Sequence, residues 1–313
     1  VIKGPFWPEF LLPWSHNMVT TPRVIAFGEL LWDLLPSGAQ LGGAPANFAL
    51  RVQSLGLPVA LVSRIGKDPL GEEALAILSH AGLDTSYIQV DDQAPTGSVQ
   101  VTLDASGNAS YSITKGVAYD FIQLPQPLKD LASKVDVICF GSLVQRAISS
   151  QTSLYDLLQL APKATKIVDI NLRKDCFTSE TVEGSLRSAD ILKLNSDEVA
   201  PVCEMLGLPV LEPELFAGAM CERFSLSHVL VTRGADGVYG YKSDGEEVTI
   251  PGYKVAVVDT IGSGDAFTAG FVSKLLVGAP FGECCDFGNR LGAAVAQKKG
   301  GMSPCSIEEA LAL

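Results

Sequence analysis

Short apolar runs alternate with stretches of helical period along most of this chain, and that alternation limits its possible folds more than any other feature. Residues 24–28, 59–65, 137–140, 166–170, 191–194 and 229–232 read as strands. Residues 46–56, 70–81, 150–160, 180–188 and 196–206 carry helical patterns between them. Runs that are apolar at successive positions suit strands covered on both faces, and helical connections join such strands in parallel. The expected fold is therefore α/β, with a mainly parallel central sheet flanked by helices on both faces. The C-terminal part reads as helices at 263–277, at 281–299 and from 306. One segment breaks the rhythm. Residues 97–114 alternate apolar and polar side chains around a turn at Ser106, Gly107 and Asn108, the pattern of a half-exposed hairpin. A second irregular stretch, 33–43, follows the first strand. Segments of about 33–42 and 96–118 are expected to form a small β lid on the parallel-sheet domain.

Composition removes several function classes. Apolar residues make up 47% of the 313, ample for a core, yet no apolar run reaches the ~18 residues of a membrane span. The formal net charge of −12 argues against a nucleic-acid groove or an anionic membrane surface as main partner. The seven cysteines are odd in number and contain no CxxC, which fits buried thiols of a cytoplasmic protein rather than a disulfide framework. His16, His80 and His228 lack metal-ligand spacing, which weighs against zinc hydrolases and histidine-based triads. Residues 1–17 hold three Pro and two Trp and follow no helix or strand period. They are expected to be a non-native or disordered leader before Met18.

Four motifs carry chemistry. The first is DTIGSGDAFTAGF, 259–271, where the strand-like run 255–258 leads into a glycine-rich turn and a helix of small residues. Successive N–H groups at Gly262, Ser263 and Gly264, with the helix dipole, would make an anion hole. Asp265 stands at the helix start. A carboxylate there can take a proton from a hydroxyl as its oxygen attacks phosphorus; on its own it reads equally as a helix cap. No GxxxxGK[ST] is present, so the turn is not a P-loop. The second motif is LGGAPANFALRVQSLG, 41–56. Gly42 and Gly43 let backbone approach a polyol, and Asn47 can donate to and accept from vicinal hydroxyls. The third is GELLWD, 28–33, which sets Asp33 just past a strand's C-terminal end, where open α/β sheets bind ligands. The fourth is LKLNSDE, 192–198. Asn195 and Glu198 are oxygen donors suited to Mg²⁺ or its waters, and they also match a capping box.

The order GELLWD, LGGAPAN, NSDE, VTRGADGV and DTIGSGDAFTAGF resembles the ribokinase-like sugar kinases, the phosphofructokinase-B family, over roughly residues 24–308. The resemblance implies a kinase that moves the γ-phosphate of ATP onto a sugar hydroxyl. It implies Asp265 as catalytic base, with Gly262, Ser263 and Gly264 as the anion hole. Asp33, Gly43 and Asn47 match sugar-binding positions. Asn195 and Glu198 match a motif that organises Mg²⁺ and phosphate, Glu198 acting through water. ATP is expected along 193–198, Lys193 included, and beside Thr232, Gly234, Gly237 and Asn289. Asp259 and the 300–303 turn resemble a loop that binds a monovalent cation such as K⁺. DINLR, 169–173, and GELLWDLLP look like bacterial fructokinases, which implies that Arg173 meets phosphate or substrate. Those enzymes often carry an Arg-Asn or Glu-Asn pair where this chain has Thr114 and Lys115. The alternatives are 2-keto-3-deoxygluconate kinase, ribokinase, or a non-catalytic sugar- or nucleotide-binding regulator. A homodimer is expected through the lid face bearing Val99, Val101 and Leu103.

Overall fold

The computed structural model describes residues 23–35, 38–103 and 109–313. The strands are β1 (Val24–Phe27), β2 (Leu31–Leu35), β3 (Gly38–Gly42), β4 (Val59–Gly66), β5 (Ile88–Asp91), β6 (Gly97–Leu103), β7 (Ala109–Ile113), β8 (Val137–Gly141), β9 (Thr165–Asp169), β10 (Ile191–Asn195), β11 (His228–Thr232), β12 (Val238–Lys242) and β13 (Glu247–Ile250). The helices are α1 (Ala44–Ser54), α2 (Pro69–His80), α3 (Gln126–Ala132), α4 (Ile148–Leu160), α5 (Ser179–Ser188), α6 (Ser196–Met205), α7 (Pro213–Phe224), α8 (Ser263–Leu275), α9 (Phe281–Ala296) and α10 (Ile307–Leu311).

Nine strands form one sheet in the order β13-β12-β11-β10-β9-β8-β1-β4-β5. It is parallel from β11 to β5, and β12 and β13 add an antiparallel edge. Alternation along each strand divides the core between the two faces. Ile25, Phe27, Ile138 and Phe140 belong to one buried cluster with Leu154, Leu186 and Val202 of α4, α5 and α6. Val24, Ala26, Val137 and Cys139 belong to another with Phe48, Leu78, Phe267 and Cys284 of α1, α2, α8 and α9. Strand β1 lies between β4 and β8, so the connections on its two sides diverge. That switch opens a crevice at the carboxyl ends of β1, β8, β9 and β10, where α/β sheets take ligands.

A second sheet, ordered β3-β2-β6-β7, joins the two irregular sequence segments. Residues 33–42 are thus mostly strand rather than irregular, with Asp33 opposite Gln40. The turn at 106–108 lies outside the described residues, as does the leader 1–17. Val99 is 6% exposed and packs within its own subunit beside Val117 and Tyr119. The side chains of Val101 and Leu103, the rest of the face expected to bind a second subunit, lie outside the described ones.

The run 255–258 is not a strand, contrary to expectation. Val257 and Val258 are 62% and 63% exposed, and the N–H groups of Val258 and Asp259 both donate to Ala296 O. Valine content alone suggested β structure there, but no strand among the described residues pairs with it. Helix α7 and the pair β12–β13 go beyond the expected elements. The seven cysteines are all unpaired and buried. No helix among the described residues is long and apolar enough to cross a membrane.

Candidate active site

The site begins where α8 begins. Gly262 is its N-cap at φ 78°, left-handed backbone that favours glycine. A side chain there would also strike the backbone of Gly301, 2.5 Å from its Cα. No side chain caps α8. Asp265, in its first turn, is therefore not the cap that an Asp at this place could be. Its Oδ2 instead accepts a hydrogen bond of 2.8 Å from Asn47 Nδ2. Asn47 is supplied by α1, whose N-cap Gly43 has φ 112° and no room for a Cβ against Glu29 O.

Asp265 is 9% exposed. Burial, with the like charge of Asp169, pushes its carboxyl up to about 6, against the opposing pull of Asn47, Lys193 and Arg173. Beneath it runs a buried ion pair. Lys193 Nζ donates to both oxygens of Asp169, at 2.8 and 3.0 Å. A Cβ on Gly264 would lie 2.9 Å from that ammonium, so the cation sits against the glycine turn. Thr268 Oγ1 closes the group with bonds to Asp169 Oδ2 and Gly264 O.

Asp265 faces a small cavity of about 20 Å³, lined also by Glu29, Ser142, Asp169 and Arg173. Among the described residues, Asn47 Oδ1, Ser142 Oγ and Ser263 Oγ are buried in this neighbourhood with no protein partner. Such atoms are rare in folded proteins and are completed by water, an ion or a ligand. Asp33 is half-buried on β2, an inner strand of the lid sheet, its Oδ2 against Gly42, and desolvation raises its carboxyl against the pull of Arg173. Asp33 thus lies against Gly42 and within the field of Arg173, which lines the small cavity with Asp265, the partner of Asn47.

Glu29 was not singled out from sequence although it lies in GELLWD. It is 5% exposed, its Oε1 accepts from Ala44 N at 3.2 Å, and burial pushes its carboxyl up to about 7. The signal was its place directly after β1, at the switch point.

The residues expected around the nucleotide follow the ends of β10 and β11. Asn195 and Glu198 form a reciprocal cap on α6, with Asn195 Oδ1 accepting from Glu198 N and Glu198 Oε2 from Asn195 N. Glu198 Oε1 accepts from Leu172 N at 2.7 Å. The Glu198 carboxylate is thus engaged by two backbone groups and 7% exposed, which suits an effect on Mg²⁺ through water rather than direct ligation. Thr232 Oγ1 donates to Leu194 O. Gly237 abuts Ile250 O, and Asn289 Nδ2 donates to Pro251 O, so Asn289 supports the wall behind Gly237. Lys193, on β10, directs its ammonium to Asp169 and lies against Gly264 at the start of α8. Asp259 accepts from Ile261 N and Gly300 N, which ties it to the 300–303 turn.

A model of the pfkB family of carbohydrate kinases matches residues 38–309. The chain belongs to this family. The pfkB relatives include a fructokinase of Escherichia coli, 29% identical over 316 residues, covering 91% of this chain and 97% of that one. A sugar kinase from Pyrococcus horikoshii, solved in complex with ATP, superimposes with a TM-score of 0.78 at 28% identity, over 93% of this chain and 97% of its own. A fructokinase from Xylella fastidiosa with bound ATP shares the fold with a TM-score of 0.81 at 23% identity, over 92% and 97%. This pfkB chain is a carbohydrate kinase with the ribokinase-like arrangement of sheet and helices.

Proposed function

We propose that this kinase transfers the γ-phosphate of ATP to fructose, giving fructose 6-phosphate, with Asp265 as general base. The observation that carries the reading is a buried carboxylate, held by Asn47, beside an αL-capped helix start that no side chain caps. The sugar's primary hydroxyl gives its proton to Asp265 while its oxygen forms the new bond to the γ-phosphorus. The bond from phosphorus to the β-phosphate oxygen breaks in line, and ADP leaves. The amides of Gly262, Ser263 and Gly264 and the nearby Lys193 ammonium take up charge on the moving group. Mg²⁺, when bound with ATP, neutralises phosphate charge; the oxygen donors Asn195 and Glu198 would hold it through water. Asp33, Gly42, Gly43 and Asn47 hold the sugar hydroxyls, and Arg173 neutralises phosphate or contacts the substrate. Thr232, Gly234, Gly237 and Asn289 form the nucleotide side. Closure of the lid sheet over the bound sugar excludes competing water.

Fructokinase names among relatives near 29% identity support the choice of fructose. The second acceptor to be tested is the carboxylate sugar 2-keto-3-deoxygluconate. An ADP-release assay across fructose, ribose, 2-keto-3-deoxygluconate and nucleosides decides between them. A preference for the keto acid by kcat/KM replaces fructose, and no turnover with any sugar removes the catalytic reading.

A further inference from the structure

The 300–303 turn is the place to which the sequence resemblance assigns a monovalent cation, and its donors do not fit one. Asp259 Oδ1 accepts from Ile261 N and Oδ2 from Gly300 N. Ala296 O accepts from Val258 N and Asp259 N. Gly300 O accepts from Ser303 N, and Lys299 O from Ser303 Oγ. Gly301 O and Ser303 O both accept from a single nitrogen, Arg51 Nη2, at 3.0 and 2.9 Å. A K⁺ ion would have to compete with a protein donor at each of these oxygens.

Arg51 is unusual for its place. It sits on α1, one turn after Asn47, and is 3% exposed. A buried guanidinium stays protonated and demands acceptors. Here the acceptors are carbonyls, so no carboxylate bonded to Nη2 cancels the charge. The turn it holds is one layer from the chemistry. Gly301 abuts the Asn47 side chain on one side and Gly262 on the other, and Gly300 abuts the Gln40 amide of the lid strand β3. Whatever fixes this turn also fixes the anion-hole amides and the side chain that holds Asp265.

We propose that the Arg51 guanidinium takes the place of a monovalent cation in this chain, holding the 300–303 turn and supplying the positive charge behind the anion hole, so that the kinase works without K⁺. The inference concerns nucleotide binding as well as turnover, and so can be tested apart from the identity of the sugar.

The experiment compares the whole protein in KCl, NaCl and tetramethylammonium chloride at equal ionic strength. Calorimetry with a non-hydrolysable ATP analogue and Mg²⁺ reads affinity, and thermal melting reads the turn's contribution to the fold. Expected are affinities within about twofold and melting temperatures within about 1 °C in all three salts; a fivefold or greater gain in affinity specific to K⁺ overturns the proposal. Arg51→Met keeps the apolar stem and removes the charge. Its affinity for the analogue in tetramethylammonium should fall at least about fivefold, whether or not K⁺ restores part of it. Arg51→Met binding as tightly as the parent overturns the proposal. If that variant does not fold, the salt comparison on the parent decides alone. A failure to phosphorylate fructose would change the substrate reading and leave these binding measurements interpretable.

Discussion

Asp265→Asn should lower activity and raise stability together. The new amide keeps an oxygen able to accept from Asn47 Nδ2, now 2.8 Å from Asp265 Oδ2. The proton acceptor and one buried charge are lost. A positioned general base is worth about 10²–10⁴-fold, so kcat should fall at least about 10²-fold while affinity for ATP changes little. The buried charge acts in the opposite direction. Its carboxyl is pushed from 3.8 up to about 6, which corresponds to a penalty of roughly 3 kcal/mol on the ionised native state. Because the native value lies above the unfolded one, the parent protein holds this stability at low pH and loses it as pH rises through about 6. The amide has no such proton. Asp265→Asn should therefore melt higher at pH 8, by up to on the order of 5 °C for a chain of this size, and the gain should shrink by about half at pH 5. ADP release coupled to NADH oxidation gives kcat, and scanning fluorimetry across pH gives the melting curve. A variant within threefold of parental kcat refutes the base assignment. A variant less stable than the parent at pH 8 refutes the buried-charge account.

The kcat/KM profile of the parent should fall on the acid side with an apparent value near 6, as Asp265 takes up a proton and ceases to be a base; an acid limb near 4 would place the carboxylate in a wetter setting. Asn47→Ala and Asp33→Ala should raise sugar KM at least about tenfold and leave ATP KM nearly unchanged; equal effects on both would mean the two halves of the site are misassigned. Lys193→Met should destabilise the fold by about 3–5 kcal/mol, because it strands Asp169 as a buried unpaired charge, read by urea unfolding at neutral pH. Gly262→Ala should cost more than tenfold in kcat/KM, since φ is 78° and the new methyl meets Gly301; near-parental kinetics would show that the turn can shift freely.

The local signals in this chain were strong enough to announce most of its architecture. Short, mostly apolar runs at β1, β4, β8, β9, β10 and β11 read as strands covered on both faces, and the helical repeats between them implied parallel pairing. DTIGSGDAF announced a glycine turn before a helix because the left-handed backbone at Gly262 and the close approach to Gly301 leave little else room. Other features had no local signature. Val255 to Val258 reads as a strand by composition, yet a strand requires a neighbour, and pairing is a property of the whole sheet. Asp265 could be a cap or a base from sequence; its role in capping was settled only by Asn47, 218 positions away, reaching it across the crevice. Lys193 reads as a nucleotide ligand in sequence, and its pairing with Asp169 of the adjacent strand had no local sign. Glu29 and Arg51 drew no notice, one a charge after a strand and the other a charge on a helix, because what makes each unusual is burial. Burial and charge pairing arise between segments far apart in sequence, so the tertiary structure alone decided them.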